Sequence, residues 1–302
     1  MNTKNTSIQY INHTSLLIDD GESLILTDPW GESEAFGKWL PSPPPFIHPA
    51  YLASLAENNN QNFNILISNF NDDHCDDIFL KLFPKNINLI IPKVQSRWPY
   101  TRLKNLGFEN LIEVNNKEEV SNIKYRTHNN GTISIETEDA LIFHCNKAVT
   151  FEENDAFTIT NHIEDYKCRI SHLKKECKII LSLQINTSKG DYPHTYSDFE
   201  EEDKEFLTKK INNLFLSIVN MSISKVLIYG GHDNYHTENK NTPVYKDLNF
   251  YQSITKPHIL NKLNLIDITP GDIYNFNEIK SLFGQYKYTK QNLKIKSKQY
   301  YE

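Results

Sequence analysis

SNFNDDHCDD, residues 68–77, follows the apolar run FNILI (63–67). A short apolar run bounded by turn-forming residues reads as a buried strand, and the polar decapeptide as the loop it opens into. Within that loop Asp73 and His74 are adjacent, and Asn69, Asn71 and Asp73 alternate. Alternating oxygens would suit calcium. But His74 stands where a calcium loop needs glycine, and no glutamate follows at the twelfth place, so that reading fails.

Upstream, SLLIDDGESLILTDPW (15–30) reads as two strands joined by a turn at Asp19–Glu22. The Gly-, Pro- and aromatic-rich stretch 31–49 reads as an ordered loop near a site, with Trp30, Phe36 and Trp39 as either pocket caps or loop anchors. Downstream, INLIIPK (87–93) is a further strand, with a helix expected between it and the loop around residues 76–83. Residues 123–146 read as successive strands with a turn at 129–131, and CKIILSLQI (177–185) as another. Ser197 and Glu200 form a capping box, and Phe199, Phe206, Ile211, Leu214 and Ile218 recur at helical spacing behind it. KVLIYGG (225–231) is a strand that breaks on two glycines. Early paired strands followed by helices between later strands give an α/β class, and the lack of repeats or a Gly/Ser linker favours one domain over 1–302, with a basic extension from about 280.

With 302 residues the chain can bury a sizeable core. Its net charge of −6 argues against nucleic acid as the partner, while leaving room for an anionic small molecule in a locally positive pocket. No stretch approaches the ~18 apolar residues of a membrane span, and MNTKNTSIQY has no apolar leader core. Cys75, Cys145, Cys168 and Cys177 include no CxxC pair, so a cytoplasmic location is expected rather than a disulfide framework. No Walker or Rossmann glycine loop and no Gly-x-Ser-x-Gly elbow occurs.

Three separated stretches resemble the metallo-β-lactamase superfamily, most nearly the branch containing CMP-N-acetylneuraminate hydroxylase and the phospholipase D that cleaves N-acylphosphatidylethanolamine. They are NHTSLLIDDGESLILTDPWGESEAFGKW (12–39), ILISNFNDDHCDD (65–77), and LQINTSKGDYPHTY (183–196) followed by GGHDNYHTEN (230–239) and TPGD (269–272). The resemblance implies an αββα sandwich of two mixed β-sheets flanked by helices, with a metal site at one edge. The superfamily's Ser-His-x-His-x-Asp-His falls on residues 68–74, where Asp73 and His74 match and both earlier histidines are Asn69 and Asn71. His128 stands at the place of a later histidine. Asn146 or Lys147 stands at that of a bridging aspartate, and His232 or His236 at that of the last histidine. The resemblance also makes Asp28 a buried brace rather than a reactant.

An asparagine offers only a neutral amide oxygen, a weak ligand for zinc. The altered motif therefore predicts at most one divalent ion, zinc or iron, on Asp73, His74 and one of His232 and His236. Asp73, His74, His128 and Lys147 are the candidate catalytic residues. The Lys147 ammonium would either replace missing metal charge beside Asp73 or lie on the surface beyond a strand end. His13, Trp30, Trp39, Asn69, Asn71, Tyr192 and His194 are the candidate substrate contacts. His144 and Cys145, adjacent on one strand, point to opposite faces and do not form a nucleophile–base pair. His48, His162, His172 and His258 suggest no partner. Function is expected to be hydrolase-like, on a phosphorylated or nucleotide-linked small molecule of bacterial-type metabolism. The alternative is a metal-free relative that binds a ligand or protein through the same pocket.

Overall fold

Strands paired antiparallel open the chain, and strands paired parallel through intervening helices follow. The computed structural model describes residues 6–31, 33–36, 39–40, 45, 47–59, 62–114, 119–120, 123–127, 132–137, 139–145, 153–171, 178–183, 204–228, 234–235, 248–268, 271–275 and 278–281. Its first strands are β1 (Ser7–Asn12), β2 (Ser15–Asp19), β3 (Leu24–Thr27), β4 (Trp39–Leu40), β5 (Phe63–Leu66), β6 (Asn88–Pro92), β7 (Asn110–Val114) and β8 (Glu119–Val120). Then come β9 (Ile123–Thr127), β10 (Thr132–Glu136), β11 (Ala140–Cys145), β12 (Lys178–Leu183), β13 (Lys225–Ile228), β14 (Asn234–Tyr235), β15 (Leu265–Asp267), β16 (Asp272–Asn275) and β17 (Glu278–Ser281). The helices are α1 (Pro49–Asn58), α2 (Asp77–Lys81), α3 (Trp98–Asn105), α4 (Glu153–Ser171), α5 (Lys204–Asn220), α6 (Leu248–Ile254) and α7 (Pro257–Leu260).

One sheet runs β17-β16-β1-β2-β3-β5-β6-β7 and the other β15-β13-β12-β11-β10-β9-β8. Each is mixed: β17 to β3 pair antiparallel and β3-β5-β6-β7 parallel, while β8 to β11 pair antiparallel and β11-β12-β13-β15 parallel. Three buried apolar clusters lie between successive layers. Ile8, Tyr10, Leu16, Ile18, Ile25 and Leu66 of the first sheet meet Ile133, Ile135, Ile142, Ile180 and Leu227 of the second. Leu52 and Ala56 of α1, Phe79 and Leu80 of α2 and Leu103 of α3 cover the outer face of the first sheet. Ile159, Ile163 and Tyr166 of α4, with Leu207, Ile211, Leu214, Phe215 and Ile218 of α5, cover the second. The result is an α/β sandwich in αββα layers, as expected.

Local chemistry explains the helix starts on the site side. His48 caps α1, its Nδ1 accepting from the Ala50 N–H at 3.1 Å, with Pro49 in the first turn. Asp76 caps α2, Oδ1 accepting from Ile78 at 2.8 Å and Phe79 at 3.2 Å, while Oδ2 accepts from the Gly31 N–H at 3.0 Å. A Cβ on residue 31 would sit 3.3 Å from that oxygen, so glycine permits the close approach. One cap thereby ties the helix to the segment that follows β3.

Some expectations need correction. Phe206 is 54% exposed, and the core face of α5 runs through Leu207 and Phe215 instead. Ile211, Leu214 and Ile218 lie on that face as the apolar stripe implies, and Leu207 rather than Phe206 continues it. His48 has the capping role above, and His162, packed edge-on against Phe143, has Nδ1 at 3.2 Å from Ser134 Oγ. The capping box at Ser197 and Glu200, Phe199, His172, the turn at 129–131, Thr269 and Pro270, and the tail from 282 lie outside the described residues. No helix among the described residues is long and apolar enough to cross a membrane.

Candidate metal centre

Strand direction decides where the polar residues meet. Because β1 and β3 are each antiparallel to β2, and β5 is parallel to β3, the carboxyl ends of β1, β3 and β5 share one edge. Their continuations are His13-Thr14, Asp28 and the loop beginning at Ser68. In the other sheet β9, β11, β12 and β13 likewise point one way. His144, near the end of β11, reaches across to within 3.8 Å of Asp28, so both sheets present carboxyl ends to the same place. In open α/β sheets that edge is where ligands bind.

Asp28, fully buried, is the hub of the cluster. Its Oδ1 accepts from the Ser68 N–H at 2.7 Å, and its Oδ2 from the Ser68 hydroxyl at 2.6 Å. His74 Nδ1 lies 3.1 Å from the same Oδ2 and 3.0 Å from Thr14 Oγ1. Burial by itself raises the Asp28 pKa, but the imidazoles of His74 and His144 outweigh it and hold the carboxyl well below the usual carboxylate range. An ionised carboxylate only accepts, so His74 carries its proton on Nδ1 and keeps the Nε2 lone pair free. His144 Nε2 lies 3.8 Å from Asp28 Oδ2, and its Nδ1 is 3.0 Å from Ser182 Oγ.

On the other side of His74 stands Asp73. Its Oδ2 is 3.5 Å from His74 Nε2 and 3.3 Å from His13 Nε2, and all three residues are buried. One ligand atom from each of His13, Asp73 and His74 falls within 4.8 Å of the others. Trp30, fully buried, packs edge-on to His13 with ring centroids 5.0 Å apart, and the His74 ring meets His13 at 5.3 Å. The Trp30 indole N–H donates to the Ser33 carbonyl at 2.9 Å, and its own carbonyl accepts from Asn12 Nδ2 at 2.9 Å. Both His13 (φ 40°) and Asp28 (φ 38°) hold left-handed backbone, uncommon outside glycine and concentrated at functional sites.

The loop itself is pinned from beneath. Asn69 Oδ1 accepts from the Asn71 N–H at 2.9 Å, and the Asn71 carbonyl accepts from His74 at 3.0 Å and Cys75 at 2.8 Å. Arg102 of α3 donates to the Phe70 carbonyl (3.2 Å), the Cys75 carbonyl (2.9 Å) and Asp77 (2.8 Å). Asn69 thus shapes the turn that presents Asp73 and His74, and Asn71 is exposed. Cys75 faces the core, where burial pushes its thiol up to about 12.

Two imidazoles and a carboxylate suit zinc or non-haem iron(II). Ligands ~2.0–2.1 Å from a tetrahedral ion are about 3.3–3.4 Å apart, and the contacts from Asp73 Oδ2 to the two imidazoles, 3.3 and 3.5 Å, match that edge. The donor set fits one ion.

No protein-family model and no curated protein matches the sequence. Solved structures match it in fold. A possible metal-dependent hydrolase from Veillonella parvula superposes with a TM-score of 0.55 at 11% identity, over 90% of this chain and 100% of that one. A metallo hydrolase from Ignicoccus hospitalis gives 0.53 at 14%, over 91% and 100%. CmlA, a diiron β-hydroxylase from Streptomyces venezuelae, gives 0.54 at 10%, over 92% of this chain and 54% of that one. The chain shares the fold of these structures, and its two mixed sheets flanked by helices are the architecture that the metallo-β-lactamase resemblance implied. At these identities the likeness is of fold alone.

Within this sandwich the expected residues separate. Asp73 and His74 stand together with His13, and Asp28 lies 3.1 Å from His74 Nδ1. Trp30 backs His13 and anchors the following segment through Ser33. Strand β4 carries Trp39, whose side chain lies outside the described residues, as do His128, Asn146, Lys147, Tyr192, His194, His232 and His236. Sequence reasoning missed Thr14, Ser68 and Ser182, and set His144 aside as a failed partner of Cys145. The two residues do face opposite ways: Cys145 joins the helix-side cluster, while His144 faces the inter-sheet layer. That same alternation, with Ala140 and Ile142 in the inter-sheet cluster, turns residue 144 toward the other sheet.

Proposed function

We propose that the chain is a hydrolase-like enzyme that uses one divalent metal ion anchored by Asp73 and His74. The observation that carries the proposal is the Asp28–His74–Asp73 line, with Nδ1 fixed by a carboxylate at 3.1 Å and Nε2 turned to a second carboxylate at 3.5 Å. That is how a metal-binding histidine is held in the right tautomer. What such an ion supplies is Lewis acidity toward a carbonyl or phosphoryl oxygen. The chain's own share is to orient: Asp28 and Thr14 fix His74, Ser68 fixes Asp28, and Arg102 fixes the loop that carries Asp73. The substrate class is a phosphorylated or nucleotide-linked small molecule, a reading supported by the resemblance of residues 12–39 and 183–196.

The test is elemental analysis of the full chain purified without added metal, beside hydrolysis of a panel of phosphomonoesters, phosphodiesters and nucleotide-sugars. One zinc or iron per chain is expected, lost in His74→Ala, with turnover abolished by a chelator and restored by the ion. Two ions per chain would overturn the mononuclear site. No ion and no turnover would leave a metal-free binding relative in its place.

A further inference from the structure

We propose that His13 is a metal ligand, completing with Asp73 and His74 a three-donor site for one zinc or iron(II) ion. The inference rests on the reading that Asp73 and His74 bind a metal ion, and it adds a donor from the β1–β2 turn.

Distance separates this role from an ordinary ion pair. An imidazole N–H that hydrogen-bonds a carboxylate sits ~2.7–3.2 Å from its oxygen. Asp73 Oδ2 is 3.3 Å from His13 Nε2 and 3.5 Å from His74 Nε2, beyond that range on both sides and at the spacing of two vertices around a tetrahedral ion. The two imidazoles therefore stand in near-equivalent relation to one oxygen, although 61 positions separate them in the sequence.

Orientation points the same way. His13 cannot swing freely, because Trp30 abuts its ring edge-on at 5.0 Å and 84°, and His74 meets it at 5.3 Å and 63°. The backbone at His13 is left-handed, a conformation that costs a residue with a side chain about 1 kcal/mol or more and persists where the surroundings demand it. Just before it, Asn12 is bonded to the Trp30 carbonyl at 2.9 Å, and just after it Thr14 Oγ1 is 3.0 Å from His74 Nδ1. The turn is thus tied on both flanks to the groups its histidine faces. A substrate-contacting histidine needs an exposed edge, whereas His13 is only 4% exposed. Two histidines and one carboxylate leave further coordination positions for solvent or substrate, as catalytic zinc and iron(II) sites do.

The experiment measures metal binding rather than turnover. Chelator-treated full-length protein is titrated with Zn2+ by calorimetry and with Co2+ by visible absorption, for wild type, His13→Asn and His13→Cys. Asparagine tolerates the left-handed backbone, so H13N keeps the turn, checked by thermal unfolding in chelator. Removing even an outer-shell partner typically lowers metal affinity about 10–100-fold, so losing a ligand should lower it by at least ~100-fold. H13C offers a thiolate at the same place, and a sulfur-to-cobalt charge-transfer band absent from the wild type is expected. Wild-type affinity in H13N, or cobalt bound by H13C with no such band, would overturn the assignment while leaving Asp73 and His74 as anchors. A wild type that binds no ion would overturn this inference together with the reading on which it rests.

Discussion

Asp28 shows what a single residue does in this protein. It is fully buried, takes two hydrogen bonds from Ser68, and faces imidazoles on two sides. Its lowered pKa has a definite consequence for stability. A carboxyl bound less tightly by protons in the folded state stabilises the fold above its unfolded value of 3.8, and that contribution is lost as pH falls through the folded value. Asp28→Asn keeps the side-chain shape and tolerates φ 38° but removes the charge. In metal-free buffer at neutral pH it should lose about 1.5–3 kcal/mol, the worth of a hydrogen bond to a charged group. Urea unfolding across pH checks this: the wild type should lose stability below about pH 4, while the variant, already lacking the charge, shows a flatter acid limb. Equal acid limbs in the two proteins would remove Asp28 from this role.

Among the elements, α3 and the 68–77 loop are coupled by one side chain. Arg102 spans from the helix to two loop carbonyls and to Asp77 at the start of α2, and stacks near the exposed Trp98 ring at 5.4 Å. It touches neither His74 nor His13, so it positions the loop without joining the donors. Arg102→Met should therefore weaken Zn2+ binding by about 10-fold or more, in the manner of an outer-shell partner, while leaving the ligand set unchanged. Hydrogen exchange in the metal-free variant should also quicken at the His74 and Cys75 amides, which close the turn onto Asn71. Unchanged exchange there, with unchanged affinity, would make Arg102 a surface residue of the α2–α3 contact.

For the whole molecule, the three apolar clusters place two cysteines in different layers. Cys75 packs under α1–α3, and Cys145 packs under α4 and α5, where burial pushes its thiol up to about 12. Cys168 is exposed. Alkylation of the native chain at mild alkaline pH, read peptide by peptide, should label Cys168 within minutes and spare Cys75 and Cys145 until global unfolding. The raised thiols also set an alkaline limit. Their contribution is whole below the unfolded value of 9.0 and declines as pH rises toward 12, so stability should fall in that window. Early labelling of Cys145 alone would show that the α4–α5 layer opens independently of the rest.

Much of this fold is legible in local patterning. The runs FNILI, NLIIP, ALIF, KIILSL and KVLI are rich in apolar residues because each strand is covered on both faces. The pairing of Asp73 with His74 is legible too, since one turn carries both. What the sequence by itself determined is therefore the inner strands, α2 and most of the apolar stripe of α5, the α/β class and the loop that carries Asp73 and His74. The place of Phe206 on α5 escaped it, because Phe206 and Leu207 both fit an apolar stripe until a sheet takes one side. Only the tertiary structure brought His13, Asp28 and His144 to that loop, from positions 61, 46 and 70 residues away from His74. The reason is topological. Which strand ends share an edge depends on the direction of every strand between them and on the facing of two sheets, and no local pattern encodes either.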